Sequence, residues 1–313
     1  MKESKTVLVT GGAGFIGSHI TEACVNRGFH ARVVDDLSTG RMENIAHLMD
    51  RIEFIRGDIC DRKLMRDAVA GVDYLFHEAA VASVAKSVAN PQRTLEANVM
   101  GTLNLLESAR DAGVKRVVFA SSSSVYGERG KFPQEETDNP DPISPYATSK
   151  LTGEFILKNF HSLFNLETVS LRYYNVFGAR QDPEAEYAAV IPKFITMMKN
   201  GERPKIFGDG LQSRDFCHID NIVQANLLAA AAPETAGGVF NVAVGETHDL
   251  LELVAALNEI LGTDLKPEFM PPRAGDVKKS CASIESAKKI LGYKPSMSFF
   301  DGLKKTAEFY LNP

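Results

Sequence analysis

Tyr146 and Lys150 stand four residues apart in the stretch PYATSK, so on a helix both side chains leave the same face, one turn apart. A lysine ammonium beside a phenol favours the phenolate, drawing the tyrosine down from about 10 towards neutrality and making it a general base at physiological pH. Ser122, in the run Ser121 to Ser124, can complete a hydrogen-bond path from a substrate hydroxyl to that phenolate. A tyrosine and a lysine at this spacing also suit an ordinary amphipathic surface pair. Their meaning depends on the elements that carry them.

The placing element is KTVLVTGGAGFIGSHI, Lys5 to Ile20, which reads as a buried strand, a glycine turn and the opening of a helix. Gly11 allows the tight exit, Gly14 lets backbone approach a pyrophosphate at the helix N-terminus, and Gly17 lets helix and strand lie close. Phe15 and Ile16 open that helix. A second strand, Ala31 to Val34, delivers Asp35, whose carboxylate suits both ribose hydroxyls of an adenosine and repels a 2′-phosphate, so NAD is expected rather than NADP, and the positive charge of its oxidised nicotinamide pushes the Tyr146 phenol the same way as Lys150 does.

In the loop Leu37 to Arg41, Ser38, Thr39 and Gly40 offer hydroxyl and backbone donors beside the adenosine phosphate, and a helix is expected over Met42 to Met49. A third strand, Ile52 to Arg56, ends in Asp58 and Ile59. Asp58 either accepts from the adenine amino group, with Ile59 covering the ring, or caps a helix starting near Lys63. A fourth, Tyr74 to His77, runs into Glu78, Ala79 and Ala80, small enough after the glutamate to admit pyrophosphate and ribose.

A long helix is expected from Thr94 to about Arg110, with Asn98 beside its apolar face. The fifth strand, Val117 to Ala120, ends in the serines, and polar residues massed at a carboxyl edge mark a reaction site in an open α/β sheet. Pro145 starts the helix of Tyr146 and Lys150, and a sixth strand, Thr168 to Leu171, follows it. Beyond Gly178 the alternation breaks down, with helices over Ala188 to Lys199, Asn221 to Ala232, Leu250 to Leu261, Ser286 to Leu291 and Phe300 to Leu311. Short strands are expected at Lys205 to Phe207 and Val239 to Val242, with an extended piece from Arg214 to Ile219. The fold class is therefore α/β, a doubly wound parallel Rossmann sheet with a smaller, interleaved C-terminal substrate domain. Residues 1–172 bind NAD, with parts of 215–243 returning to them, and residues 173–313 mainly bind substrate across a cleft.

With 313 residues, 44% hydrophobic, 24% charged and a net charge of −5 without blocks of like charge, the composition is globular and argues against nucleic acid or acidic membranes as partners. Cys24, Cys60, Cys217 and Cys281 lack metal-ligand spacing and lie in apolar segments, so they read as reduced core residues, fitting a reducing cytoplasm. No membrane span and no metal site are expected.

TGGAGFIGSHI, SSSSVYG, YATSK, RYYNVFG and SRDFCHIDN resemble the extended short-chain dehydrogenase/reductase family. Within it the chain resembles nucleotide-sugar 4-epimerases of the UDP-glucose and UDP-N-acetylglucosamine type, from Lys5 almost to the C-terminus. The resemblance implies that Ser122, Tyr146 and Lys150 are the catalytic group, that Tyr173 and Asn98 lie near the nicotinamide, and that Ser121 joins the cofactor residues. Asn175, Ala189, Val190, Arg214, Arg273 and Asp276 match positions holding the nucleotide diphosphate-sugar, and Ser83, Ser123, Phe207 and Ser280 join them. Dehydratases of the family carry an Asp-Glu pair where this chain has Ser123 and Ser124, which disfavours dehydration.

The implied reaction is C4 epimerisation. Tyr146 takes the proton of the sugar 4-hydroxyl while hydride passes to NAD, the 4-keto sugar turns over, and hydride returns to its other face. Ser280 replaces a bulky tyrosine of UDP-glucose-restricted relatives, and Arg180 to Phe194 resembles epimerases that favour N-acetylated sugars, so UDP-N-acetylglucosamine and UDP-N-acetylgalactosamine are expected substrates, with weaker turnover of the non-acetylated pair. UDP-glucose or UDP-glucuronate epimerisation without that preference is the alternative, and a non-catalytic NAD-binding regulator the remote one. The helices Thr94 to Arg110 and Pro145 to Phe160 match a four-helix interface of relatives, so a homodimer burying the Leu157 and Phe160 region is expected.

Overall fold

The structure, a computed structural model, describes residues 5–128, 131–183, 189–233, 235–272 and 278–311. The first half alternates strand and helix: β1 (Thr6–Thr10), α1 (Phe15–Asn26), β2 (His30–Asp35), β3 (Ile52–Arg56), α2 (Arg62–Ala68) and β4 (Tyr74–His77). After α3 (Val84–Ala89), α4 (Pro91–Leu95) and α5 (Thr102–Asp111) come β5 (Arg116–Ser122), α6 (Pro145–Phe164) and β6 (Glu167–Tyr173). The second half holds β7 (Val176–Phe177), α7 (Val190–Lys199), β8 (Lys205–Phe207), β9 (Ser213–Arg214), β10 (Cys217–His218), α8 (Ile219–Ala231) and β11 (Gly238–Val242). It ends with β12 (His248–Asp249), α9 (Leu250–Leu261), β13 (Glu268–Met270), β14 (Lys279–Ser280) and α10 (Phe299–Leu311).

Seven parallel strands form one sheet in the order β11-β6-β5-β4-β1-β2-β3. The direction of winding reverses between β1 and β4, and a crevice opens at their carboxyl ends. The strands are apolar throughout because helices cover both faces: Val7, Val9, Val118 and Leu171 lie in one buried cluster, Leu8, Leu75, Val117 and Phe119 in the other. A third cluster, built on Ile195, Ile206, Leu253 and Leu303 from α7, β8, α9 and α10, forms the smaller lobe.

The helix expected over 94–110 is interrupted. Residues Glu96–Gly101 form a π segment between α4 and α5, and a Cβ at Gly101 would lie 2.7 Å from the Ile59 side chain, so only glycine lets the segment pack that close. Residues 42–49 form two short 3₁₀ turns, Met42–Asn44 and Ala46–Leu48, rather than a helix, and Ala287–Leu291 is a π turn. The extended piece from Arg214 divides into β9 and β10, and α8 begins at Ile219, capped by His218.

Leu157 and Phe160 do not form an external apolar surface. They are buried against the sheet of their own chain, and the same helix turns out Phe155 and Leu163, 57% and 71% exposed; Val88 of α3 is also exposed, at 65%. Period, not composition, separates the two faces of α6. Cys24 and Cys217 are buried, whereas Cys60 and Cys281 are only half-buried, and all four are free thiols. Among the described residues no helix is long and apolar enough to cross a membrane and no cluster of ligands could hold a metal ion.

Candidate active site

A cavity of about 560 Å³ follows the carboxyl ends of β1, β2, β3 and β4 and reaches α6. Its floor is the glycine turn. A Cβ on Gly17 would lie 2.2 Å from the Gly11 carbonyl oxygen, and Gly11, at φ +68°, has the Ala79 nitrogen 2.7 Å from where its Cβ would be. Side chains there would fill the cradle, so the turn presents bare backbone at the start of α1, as a pyrophosphate requires.

Asp35 ends β2 with a buried carboxylate that accepts from the Ala13 and Leu37 amides at 3.0 and 2.8 Å; burial nevertheless leaves its carboxyl above the ordinary range. Gly40 packs directly on it, a Cβ there falling 2.6 Å from Oδ1. Gly14, Phe15, Ile16, Ser38, Thr39, Ile59, Ala79, Ala80 and Ser121 line the same cavity. These residues fit an NAD molecule: anion-binding backbone at the turn and one carboxylate at the adenosine ribose.

Asp58 also lines the cavity. Burial pushes its carboxyl up, but the Cys60 amide at 2.9 Å and the Arg93 guanidinium at 2.8 Å outweigh that and hold it below the usual value. The cap of α2 is Asp61, which accepts from Lys63 and Leu64. Asn98 stands behind the cavity wall, its amide pinning both backbone groups of Val81 and donating to Ser149 of α6 at 2.9 Å. The π segment puts it there.

At the other end of the cavity lie Tyr146, Lys150 and Tyr173. Pro145 and the Ser144 cap start α6 so that its first turn meets the end of β5. The Lys150 ammonium donates to the Ala120 carbonyl at 2.7 Å and lies 5.9 Å from the centre of the Tyr146 ring. Burial brings Lys150 down to about 8, the Glu78 carboxylate opposing it only in part. Tyr146 is not drawn down by the protein alone: burial raises its phenol, the Ser122 hydroxyl lowers it, and Glu78 raises it. One of the three Lys150 N–H groups goes to Ala120, and the lowering of Tyr146 expected from Lys150 together with an oxidised nicotinamide would need the nicotinamide's positive charge.

Ser122 caps the 3₁₀ turn Ser123–Tyr126, accepting from the Ser124 amide at 3.2 Å. The Ser121 hydroxyl turns away from the cavity to Glu154, which takes a bidentate pair of bonds from Arg172 at 2.9 and 2.7 Å, all three buried. Paired in this way, with only Arg172 Nη1 left without a hydrogen-bond partner, the buried charges tie β5, α6 and β6 together below the site.

Asn175, Arg214 and Ser280 are brought together from three distant segments. Ser280 pairs with Arg214 across β14 and β9, and the Asn175 amide donates to the Ser280 hydroxyl at 3.2 Å and to the Asp215 carbonyl at 3.1 Å. Asn175 has φ +32°, and Ser280, 9% exposed, is a buried strand residue rather than a loop serine. Phe207 lies on β8 paired with Met270, Ala189 caps α7, and Val190 begins it. Ser83 is spent as the cap of α3, accepting from the Lys86 amide. Arg273 and Asp276 lie outside the described residues.

Other cavity residues carry no local sequence signal for the role. Arg93 comes from α4, and Arg41 reaches Asp182 at 2.5 Å across the cavity mouth. Tyr310 from α10 donates to the Gln181 carbonyl, and both line the cavity. Glu78 did have a signal, an acid at the end of a strand at the crevice.

Residues 7–243 match the model of the NAD dependent epimerase/dehydratase family. The chain belongs to that family. One member, UDP-glucose 4-epimerase of Mycolicibacterium smegmatis, is 40% identical over 309 residues, 97% of this chain and 98% of its own. Among solved members, UDP-N-acetylglucosamine 4-epimerase from Methanobrevibacter ruminantium in complex with UDP-N-acetylmuramic acid has a TM-score of 0.94 at 40% identity, with 98% of each chain covered. UDP-glucose 4-epimerase from Thermotoga maritima with UDP-glucose has a TM-score of 0.93 at 42% identity, again with 98% of each chain covered. The cofactor of this family member is NAD.

Proposed function

We propose that the chain interconverts UDP-N-acetylglucosamine and UDP-N-acetylgalactosamine and, more slowly, UDP-glucose and UDP-galactose. The coarser activity, C4 epimerisation of a UDP-sugar with NAD, is that of the family members above and of this chain. The observation carrying the finer reading is Ser280, a small residue packed beside Asn175 and paired with Arg214. A small side chain leaves room for an acetamide at C2. Room permits that group without itself rewarding it. Incubation with each UDP-sugar separately, reading out its 4-epimer, tests the proposal: the acetylated pair should have the higher kcat/KM, and indifference to UDP-N-acetylglucosamine refutes it. UDP-glucose turnover without preference is the second reading, favoured by the names of the Mycolicibacterium and Thermotoga relatives.

In this reading residues 1–172, joined by β11 and α8, hold NAD, and most of 173–313 holds the nucleotide sugar. NAD, when bound, accepts and returns the hydride at C4. Tyr146 removes the proton of the 4-hydroxyl and restores it, Ser122 bridges phenol and hydroxyl, and Lys150 supplies the positive charge that favours the phenolate. Asn175 and Arg214, with Arg273 and Asp276, position the diphosphate and sugar; a guanidinium suits the diphosphate by its bidentate geometry.

We further propose a homodimer through the helical stretch 94–110 and α6, with α3 at their edge. The outward Val88, Phe155 and Leu163 give that face an apolar surface that a second copy would cover. Light scattering at micromolar concentration should give twice the chain mass, and Leu163→Glu should give the single mass; a monomeric wild type contradicts the assignment.

A further inference from the structure

Glu78 follows the last residue of β4, and it lines the cavity with Tyr146, Lys150 and Tyr173. The Asn226 amide nitrogen donates to the Ile222 carbonyl at 2.9 Å and to the Tyr173 hydroxyl oxygen at 2.8 Å, which leaves the phenolic proton for Glu78 Oε1 at 2.9 Å. The Asn226 amide oxygen, at 3.1 Å, is the longer alternative for that proton. A primary amide has two N–H groups and a phenol one O–H, so the chain runs from Asn226 through Tyr173 to Glu78 and ends on an acceptor. A carboxylate is the stronger acceptor there.

The groups facing this carboxyl are few. From α6 come Lys150 and Tyr146, from β6 Tyr173, and from α8 the uncharged Asn226. His77, its neighbour on β4, is held between Thr10 and Thr102 at 2.8 Å on each side, and burial brings it down to about 3, so it is neutral at working pH.

We propose that Glu78 is a positioning residue of the reaction centre, its carboxylate aimed by the Asn226 and Tyr173 chain and setting the pH window in which Tyr146 is a base and Lys150 a cation. The proposal rests on the reading of Tyr146 as the base. A negative charge at Glu78 raises the proton affinity of both neighbours: it opposes a second anion at Tyr146 and supports the ammonium of Lys150. Removing the charge lowers both, so the ascending limb of the pH profile, set by Tyr146, and the descending limb, set by Lys150, both move to lower pH. At the distances within one cavity the displacement is on the order of one pH unit, about tenfold in rate at a fixed pH on a limb. Burial holds Glu78 above the ordinary carboxylate range, so it takes up a proton as pH falls, and the difference between the wild type and a variant without the charge shrinks on the acid side.

The test is the pH profile of kcat for wild type, Glu78→Gln and Glu78→Asp holoenzymes, beside a near-ultraviolet tyrosinate titration of each with Tyr146→Phe as the blank. Glutamine keeps the size and the acceptor for Tyr173 but not the charge. Both limbs, and the tyrosinate signal assigned to Tyr146, should shift to lower pH in Glu78→Gln, the alkaline limb by more than the acid limb because Glu78 is itself protonated on the acid side, while Glu78→Asp, which keeps the charge but shortens the reach, should stay near wild type. Limbs of Glu78→Gln that coincide with wild type overturn the proposal, as does a Glu78→Asp profile that follows Glu78→Gln. Tyr146→Phe at full activity removes the reading of the base instead, and the two failures are thereby distinguished.

Discussion

Tyr146→Phe lowers kcat by about a thousandfold, roughly 4 kcal/mol on the barrier, while leaving KM within a few-fold of wild type. The substitution removes one oxygen from a half-buried ring at the start of α6 and leaves the packing of that helix to Ala147, Gly153 and Leu157. The cradle for NAD at Gly11, Gly14 and Gly17 lies at the other end of the cavity and does not change. What is lost is the acceptor for the 4-hydroxyl proton, with Lys150 and Ser122 left in place, and neither can substitute: the Lys150 ammonium has donors and no acceptor, and Ser122 is a weakly basic hydroxyl. Steady-state kinetics on a UDP-sugar, with a melting curve to confirm the fold, measures it. A loss of less than tenfold contradicts the assignment of the base.

Ser280→Tyr is expected to suppress kcat/KM for UDP-N-acetylglucosamine by a hundredfold or more, about 3 kcal/mol, with a loss of only a few-fold for UDP-glucose. Ser280 is buried on β14, and its hydroxyl touches the Asn175 amide. A phenol there must displace its neighbour Asn175, which is proposed to hold the sugar. A filled pocket discriminates by clash, so the larger C2 substituent is penalised first. The bond from Asn175 to Ser280 is lost for both substrates, which accounts for the shared few-fold loss; equal losses for the two sugars would refute the pocket-size argument.

The sheet was legible in the sequence because a strand covered on both faces must be apolar along its whole length, and Thr6 to Val9, Ile52 to Arg56 and Tyr74 to His77 each lie within or on their observed spans. That Gly11, Gly14, Gly17 and Asp35 meet at one cavity was legible for a related reason: glycine spacing and Asp35 act through backbone geometry fixed within one βαβ unit. What was not legible is tertiary in origin. The π segment at Glu96–Gly101 exists because Gly101 meets Ile59 and Asn98 reaches Val81 and Ser149, contacts that no window of sequence contains. Leu157 and Phe160 lie inward and Phe155 and Leu163 outward, though all are apolar and on one helix. Arg93, Gln181 and Tyr310 meet the cavity from segments up to the end of the chain. Spacing gave the proximity of Tyr146 and Lys150 but not the burial that raises the phenol, which is set by the packing of α6 against the sheet and leaves the lowering to the charge of a bound nicotinamide.

The central claim is C4 epimerisation at Tyr146 of an acetylated UDP-sugar with no net oxidation. Its most direct measurement uses UDP-N-acetylglucosamine carrying deuterium at C4, incubated with the purified protein without added cofactor and followed by mass and nuclear magnetic resonance spectroscopy. The account predicts UDP-N-acetylgalactosamine that keeps the deuterium at C4, with none released to solvent and none of it formed by Tyr146→Phe at a comparable rate. Product with the label washed out, or no product while the 4-epimer of UDP-glucose forms readily, would contradict it.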